Sequence, residues 1–125
     1  MLPEDRDPFT ERIIACAMDV HRQLGPGLLE SAYMAALCIE LSLCGFTVER
    51  EKSFPAIYRD RKLGDYRPDL IVDGRVILEV KSVERYDPVF KAQMLTYLRI
   101  TGIKVGLILN FNRPTLAEGI KRVSL

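Results

Sequence analysis

The sequence has a single histidine, His21, so a histidine-rich metal site is excluded. Cysteine is also scarce. Cys16, Cys38 and Cys44 form an odd set with no Cys-x-x-Cys pair, which excludes a zinc ribbon and argues against a disulfide framework. All three fall in apolar helical stretches, where a free thiol behaves as a small hydrophobe, so they are expected in or near the core. An excess of one charge is missing too: 18 Lys and Arg stand against 17 Asp and Glu, for a net charge of +1. Tight nucleic-acid binding through bulk charge is therefore not expected, and any such contact must come from a local patch. No apolar run approaches the length needed to span a bilayer, and no basic flank with an apolar stretch opens the chain. A cytoplasmic protein without membrane association is expected.

What is present suffices for one domain. The 125 residues are 48% hydrophobic, enough for a core, and show no repeat or linker. One domain over residues 1–125 is expected, with residues 1–7 as a loose lead. Asp7-Pro8 is a helix start signal. Ile13, Ile14, Ala17, Val20 and Leu24 recur at helical spacing over residues 8–24. Gly25-Pro26-Gly27 breaks that helix. It has no preceding strand and lacks the third glycine of a dinucleotide loop, so it reads as a helix–helix turn. A second helix over 28–44 is apolar almost all round and should be buried on most sides. Strands are expected over 46–50, 54–58, 66–72, 75–81, 103–109 and 120–123, with a polar turn at 59–62 and a third helix over 87–101. This order predicts an α/β fold: a central mixed β-sheet flanked by helices.

The chemistry is concentrated in Arg67-Pro68-Asp69-Leu70-Ile71-Val72-Asp73-Gly74-Arg75-Val76-Ile77-Leu78-Glu79-Val80-Lys81. Side chains alternate along a strand, so Ile77, Glu79 and Lys81 share one face. If Val72 pairs with Val76, Asp69 lies opposite Glu79, with Cβ atoms roughly 4.5–5.5 Å apart. A two-residue turn at Asp73-Gly74 would put Asp69 opposite Leu78 instead. The expected connection is therefore three residues, or a bulge with the same effect. Two adjacent carboxylates repel unless a cation sits between them. Magnesium takes oxygen ligands, lowers the pKa of bound water and polarises a phosphoryl oxygen. Lys81 can orient that water, take its proton or stabilise phosphate charge. The competing reading is an exposed Asp–Glu–Lys salt bridge of little energetic weight.

Glu30 bears on that choice. It lies at helical spacing with Tyr33, Leu37, Leu41 and Cys44 on an apolar stripe, where a carboxylate needs a partner such as a metal or its water shell. Otherwise it is an acidic residue in a first helical turn, favoured by the helix dipole. Gln93 and Tyr97, four apart, share a helix face; Gln93 is placed to hold a phosphate or a site carboxylate. Tyr97 either backs it or packs with Phe90 and Met94. His21 reads as a residue favoured by the helix dipole. No phosphate-binding glycine loop and no nucleophile elbow is present.

Pro68-Asp69 and Glu79-Val80-Lys81 resemble the two halves of the PD-(D/E)XK nuclease motif. Gly27-Leu28-Leu29-Glu30-Ser31-Ala32-Tyr33 is similar to the signature of the GxxExxY family. The similarity continues through Gln93-Met94-Leu95-Thr96-Tyr97-Leu98 and Gly106-Leu107-Ile108-Leu109-Asn110-Phe111. The resemblance implies a restriction-endonuclease-like three-layer α/β/α fold. It implies metal ligation by Asp69 and Glu79, catalysis through Lys81, Glu30 as an accessory acidic ligand, and Gln93 and Tyr97 as a site element. Mg2+ or Mn2+ is the cofactor it implies. Some relatives carry an iron–sulfur cluster, but the cysteine spacing here does not match theirs, so none is expected.

The leading expectation is a metal-dependent nuclease acting on DNA, with RNA the less favoured substrate, and with low intrinsic sequence specificity. Lys52, Arg59, Arg61, Lys62, Arg67, Arg85 and Lys91 form a candidate nucleic-acid path, unless they are simply a solvated charged surface. The alternatives are a catalytically silent nuclease-fold binding or regulatory module, and an enzyme on another phosphate ester. A homodimer or a protein partner is compatible with each.

Overall fold

A computed structural model describes residues 7–125. The expected loose lead, residues 1–7, lies outside the described residues except for Asp7. That residue is ordered as the N-cap of α1 (Pro8–Leu24), its carboxylate accepting from Thr10 N at 2.9 Å. The chain continues through α2 (Glu30–Leu43), β1 (Val48–Arg50), β2 (Phe54–Tyr58), β3 (Arg61–Tyr66), β4 (Leu70–Val72) and β5 (Val76–Lys81). It closes with α3 (Val89–Thr101), β6 (Val105–Asn110), a 3-10 turn (Leu116–Gly119) and β7 (Ile120–Ser124).

The central sheet is mixed, with strand order β1-β4-β5-β6-β7. Only β5 and β6 are parallel, as expected for strands joined by the α3 crossover. The helices cover both faces. Ile13, Ala17, Tyr33, Leu37 and Leu41 of α1 and α2 pack on Leu70, Val72, Leu78, Val80 and Leu107. Met94, Tyr97 and Leu98 of α3 pack on Ile71, Ile77 and Ile108. Alternate residues of one strand thus enter two cores, so β5 is buried from Val76 to Val80. Gly106 sits where α3 rests closest on the sheet: a Cβ there would lie 2.2 Å from the Met94 sulfur. This is the three-layer α/β/α architecture expected from the sequence.

Four local expectations are corrected. The strand expected over 66–72 is interrupted at Pro68, which can donate nothing to a ladder; β4 spans only Leu70–Val72. The polar turn expected at 59–62 shrinks to Arg59-Asp60, and β3 pairs with β2 as a separate two-stranded ribbon. The outward side of α2 is not buried: Ile39 is 62% and Leu43 77% exposed. Cys44, at the C-cap of α2, is exposed rather than near the core, 3.1 Å from the buried thiol of Cys16.

Candidate active site

The site begins with the β4–β5 register. Val72 pairs with Val76, Ile71 with Ile77 and Leu70 with Leu78, so the next pair brings Asp69 opposite Glu79. The connection is the expected three residues. Asp73 (φ 51°) and Gly74 (φ 66°) are both left-handed, and Arg75 N donates to Val72 O at 2.9 Å. Asp73 also caps the approach to β1, accepting from Thr47 N at 2.7 Å. A left-handed pair followed by a closing hydrogen bond supplies the odd residue that keeps both acids together.

Asp69 and Glu79 hold each other through backbone. Asp69 N donates to Glu79 Oε2 at 2.6 Å, and Val80 N donates to Asp69 Oδ2 at 2.8 Å. Glu79 is only 4% exposed. Burial, then the neighbouring Asp69 charge, pushes its pKa up to about 8. Burial also raises Asp69, although the Val80 N–H and the Lys81 charge pull the other way. Carboxylates are seldom buried without a cation partner, and no salt bridge reaches either acid among the described residues. Lys81 continues the same strand face. Its ammonium lies over the Phe90 ring, 4.5 Å from the centroid, and favours ionisation of both acids.

α3 closes this face. Gln93 Nε2 donates to the Tyr97 hydroxyl at 3.2 Å. Tyr97 is 8% exposed and packs with Met94 and Phe90, so it is both core and backing for Gln93. Its hydroxyl pKa is pushed up to about 12 by burial and by the charges of Glu79 and Asp69. Gln93 itself is exposed at the rim.

Glu30 reaches the site from the other helical layer. It opens α2, and its Oε2 accepts from Ser82 N at 3.2 Å, just beyond Lys81. Ser82 Oγ donates to Leu28 O at 2.7 Å. The Tyr33 hydroxyl accepts from Leu28 N at 3.1 Å and donates to Gly25 O, while its ring stacks on Phe111 with centroids 4.5 Å apart. Gly27, at φ 105°, lets the chain enter this turn. Tyr33 thus fixes the turn, and the turn fixes Glu30. Among the described residues, no group of three or more Asp, Glu, His or Cys side chains is arranged to hold a metal ion. Glu30 is felt electrostatically by Asp69 and Glu79 but is spent on Ser82.

One residue of the frame escaped the sequence reading, and a second has a role beyond the one read for it. Asn110, 5% exposed at the end of β6, clasps Val83: its Oδ1 accepts from Val83 N at 3.1 Å and its Nδ2 donates to Val83 O at 3.0 Å. An asparagine ending a continuous apolar strand was the available signal. His21 lies in the last turn of α1, as read, but is buried there. Its Nε2 lies 3.1 Å from Phe111 O and 2.9 Å from Arg113 O, and since carbonyls only accept, that nitrogen carries a proton. It braces the chain after β6, away from the acids.

No helix of the described residues is long and apolar enough to cross a membrane. The sequence matches the family model of the PD-(D/E)XK nuclease superfamily over residues 7–123. No curated protein and no solved structure matches it.

Proposed function

The chain belongs to the PD-(D/E)XK nuclease superfamily, and from that membership we propose that it hydrolyses phosphodiester bonds of DNA, RNA being the less favoured substrate. The observation that carries this reading is the buried Glu79 set against Asp69 on one sheet face, with no salt bridge to either acid among the described residues. The donor set fits Mg2+ or Mn2+: two hard carboxylate groups on one sheet face, leaving further positions for water and substrate phosphate. Such an ion would lower the pKa of a bound water and polarise the phosphoryl oxygen.

The remaining roles fall to the chain. Asp69 and Glu79 would hold the ion, and the backbone bonds between them fix their separation. Lys81, restrained over Phe90, orients the attacking water and offsets charge on the phosphate. Glu30, tied to Ser82 N, adds negative charge at the mouth of the site. Gln93, steadied by Tyr97, presents an amide to the substrate phosphate. The segment from Gly27 through Glu30 to Tyr33 supports placing the chain in the GxxExxY group. Three free cysteines suit a reducing cytoplasm. A homodimer or protein partner would find its best surface on the outward side of α2.

A second reading has one observation in its favour. Each site carboxylate already accepts a backbone N–H, and no three-residue metal cluster is present among the described residues. A catalytically silent nuclease-fold binding module would look like this. Incubating labelled single- and double-stranded DNA and RNA with Mg2+ or Mn2+ separates the two. The enzyme reading expects cleavage that Asp69→Ala and Lys81→Ala each remove. Cleavage unaltered by both changes removes the site assignment, and none from the wild type favours the silent module.

A further inference from the structure

The β2–β3 ribbon buries almost nothing. Of its eleven residues, all but Phe54, Ala56 and Gly64 are exposed. Phe54 anchors it beside α3; Ile57, Tyr58 and Leu63 remain 59%, 59% and 67% exposed. An isolated two-stranded ribbon is marginal in water, and folding makes little use of this surface.

The ribbon is also where the charge is unbalanced. Residues 52–67 carry five basic residues (Lys52, Arg59, Arg61, Lys62 and Arg67) against two acidic ones (Asp60 and Asp65), a net +3 in a chain whose total is +1. Lys52 and Lys62 are paired, with Glu49 at 3.1 Å and Asp65 at 3.0 Å. Arg61 and Arg67 make no ion pair with the described residues.

Backbone at the tip adds an independent sign. Arg59 (φ 49°) and Asp60 (φ 63°) occupy the two left-handed positions of the turn, which ordinarily favour Asn-Gly or Asp-Gly. Arg59 stands there without the residue types that ease this backbone, its guanidinium over the Tyr58 ring and its Nε donating to the Tyr58 hydroxyl at 3.1 Å, which holds the charge at the tip. Pairing puts Phe54 with Tyr66 and Tyr58 with Arg61, so Tyr58, Arg61 and Tyr66 lie on the ribbon face that carries the anchor.

The ribbon springs from the site. Tyr66 ends β3, three residues before Asp69, and is close enough to influence Tyr97. Five residue steps of about 3.3 Å carry the tip roughly 17 Å from there, the rise of about five base pairs at 3.4 Å each. A two-stranded ribbon fits the major groove of B-form DNA, whereas that of A-form RNA is too narrow for side chains to read.

We propose that the β2–β3 ribbon is a duplex-DNA grip, entering the major groove with Arg59 and Arg61 on the flanking phosphates, about five base pairs out from Tyr66 at the edge of the Asp69–Glu79 site. Its distance from the cut rests on the nuclease reading; the grip does not.

The test is fluorescence anisotropy in EDTA, with a 24-base-pair DNA duplex, the matching RNA duplex and single-stranded DNA. The wild type should prefer the DNA duplex about tenfold over either alternative. Arg59→Ala with Arg61→Ala should weaken duplex binding about tenfold and lower the salt-dependence slope by about two. The Arg59→Gln with Arg61→Gln pair keeps the side-chain stems and serves if the alanine pair lowers the melting temperature. Equal binding by wild type and variant, or equal wild-type affinity for the two duplexes, overturns the grip. Turnover of bis(4-nitrophenyl) phosphate with Mn2+ separates the two claims. The grip expects it unchanged in the variants. No turnover by the wild type, with ribbon-dependent binding intact, defeats the nuclease reading alone.

Discussion

β5 and β3 are both six-residue strands, and they could hardly be used more differently. In β5, Val-Ile-Leu-Glu-Val-Lys, five residues are buried between two helical layers, and the one carboxylate among them is raised in pKa by that burial. In β3, Arg-Lys-Leu-Gly-Asp-Tyr, only Gly64 escapes full exposure. The first strand concentrates stability and chemistry in one place; the second contributes little to the core and leaves its cations outward. Function in this chain is thus expected at two kinds of place: where a charge is buried against its preference, and where apolar and cationic groups are exposed against theirs.

The contrast can be broken by substitution. Leu78→Ala in β5 removes a fully buried side chain and should cost about 2–5 kcal/mol in chemical denaturation. A cost below about 1 kcal/mol would mean that β5 is not the centre of the fold. Next comes pH. Glu79 sits near 8 in the folded protein against an ordinary 4.5, so between these values the folded state holds the extra proton. Stability of the metal-free protein should therefore fall as pH rises from about 5 to 8, by roughly 3 kcal/mol at most, and Glu79→Gln should flatten the slope. A rise over that range would reverse the account of Glu79. Gly106→Ala should cost about 1–3 kcal/mol, because Met94 must move off its close approach to the sheet; thermal melting reads it. Smallest of all, Leu63→Ala in the ribbon should change stability by no more than about 0.5 kcal/mol.

Much of the first region was legible in the sequence, and little of the second. α1 runs over the residues its apolar spacing predicts, because Asp7 and Pro8 are local start signals. The Asp69–Glu79 facing followed from counting residues between Val72 and Val76, since strand periodicity admits one register that gathers the acids. β2 was legible at 54–58, but β3 was missed because the tip uses Arg59-Asp60, which carries no glycine or asparagine signal, and because Lys62 to Asp65 reads as polar loop. α2 starts at Glu30 rather than Leu28 because Leu29 is extended and the Leu28 carbonyl accepts from Ser82 Oγ instead of a helical N–H. The clasp of Asn110 on Val83, and that of Glu30 on Ser82, join residues 27 and 52 positions apart. Such pairings follow from topology, which no local pattern encodes.

The central claim is that Asp69 and Glu79 form a cation site, and titration calorimetry of Mn2+ into the wild type and into Asp69→Ala, in buffers of different ionisation heat, reads it directly. The account predicts one site in the wild type, none in the variant, and release of about one proton per ion at pH 7, because the ion must displace the proton that burial keeps on Glu79. Binding of equal strength in the variant, or binding without proton release, would contradict it.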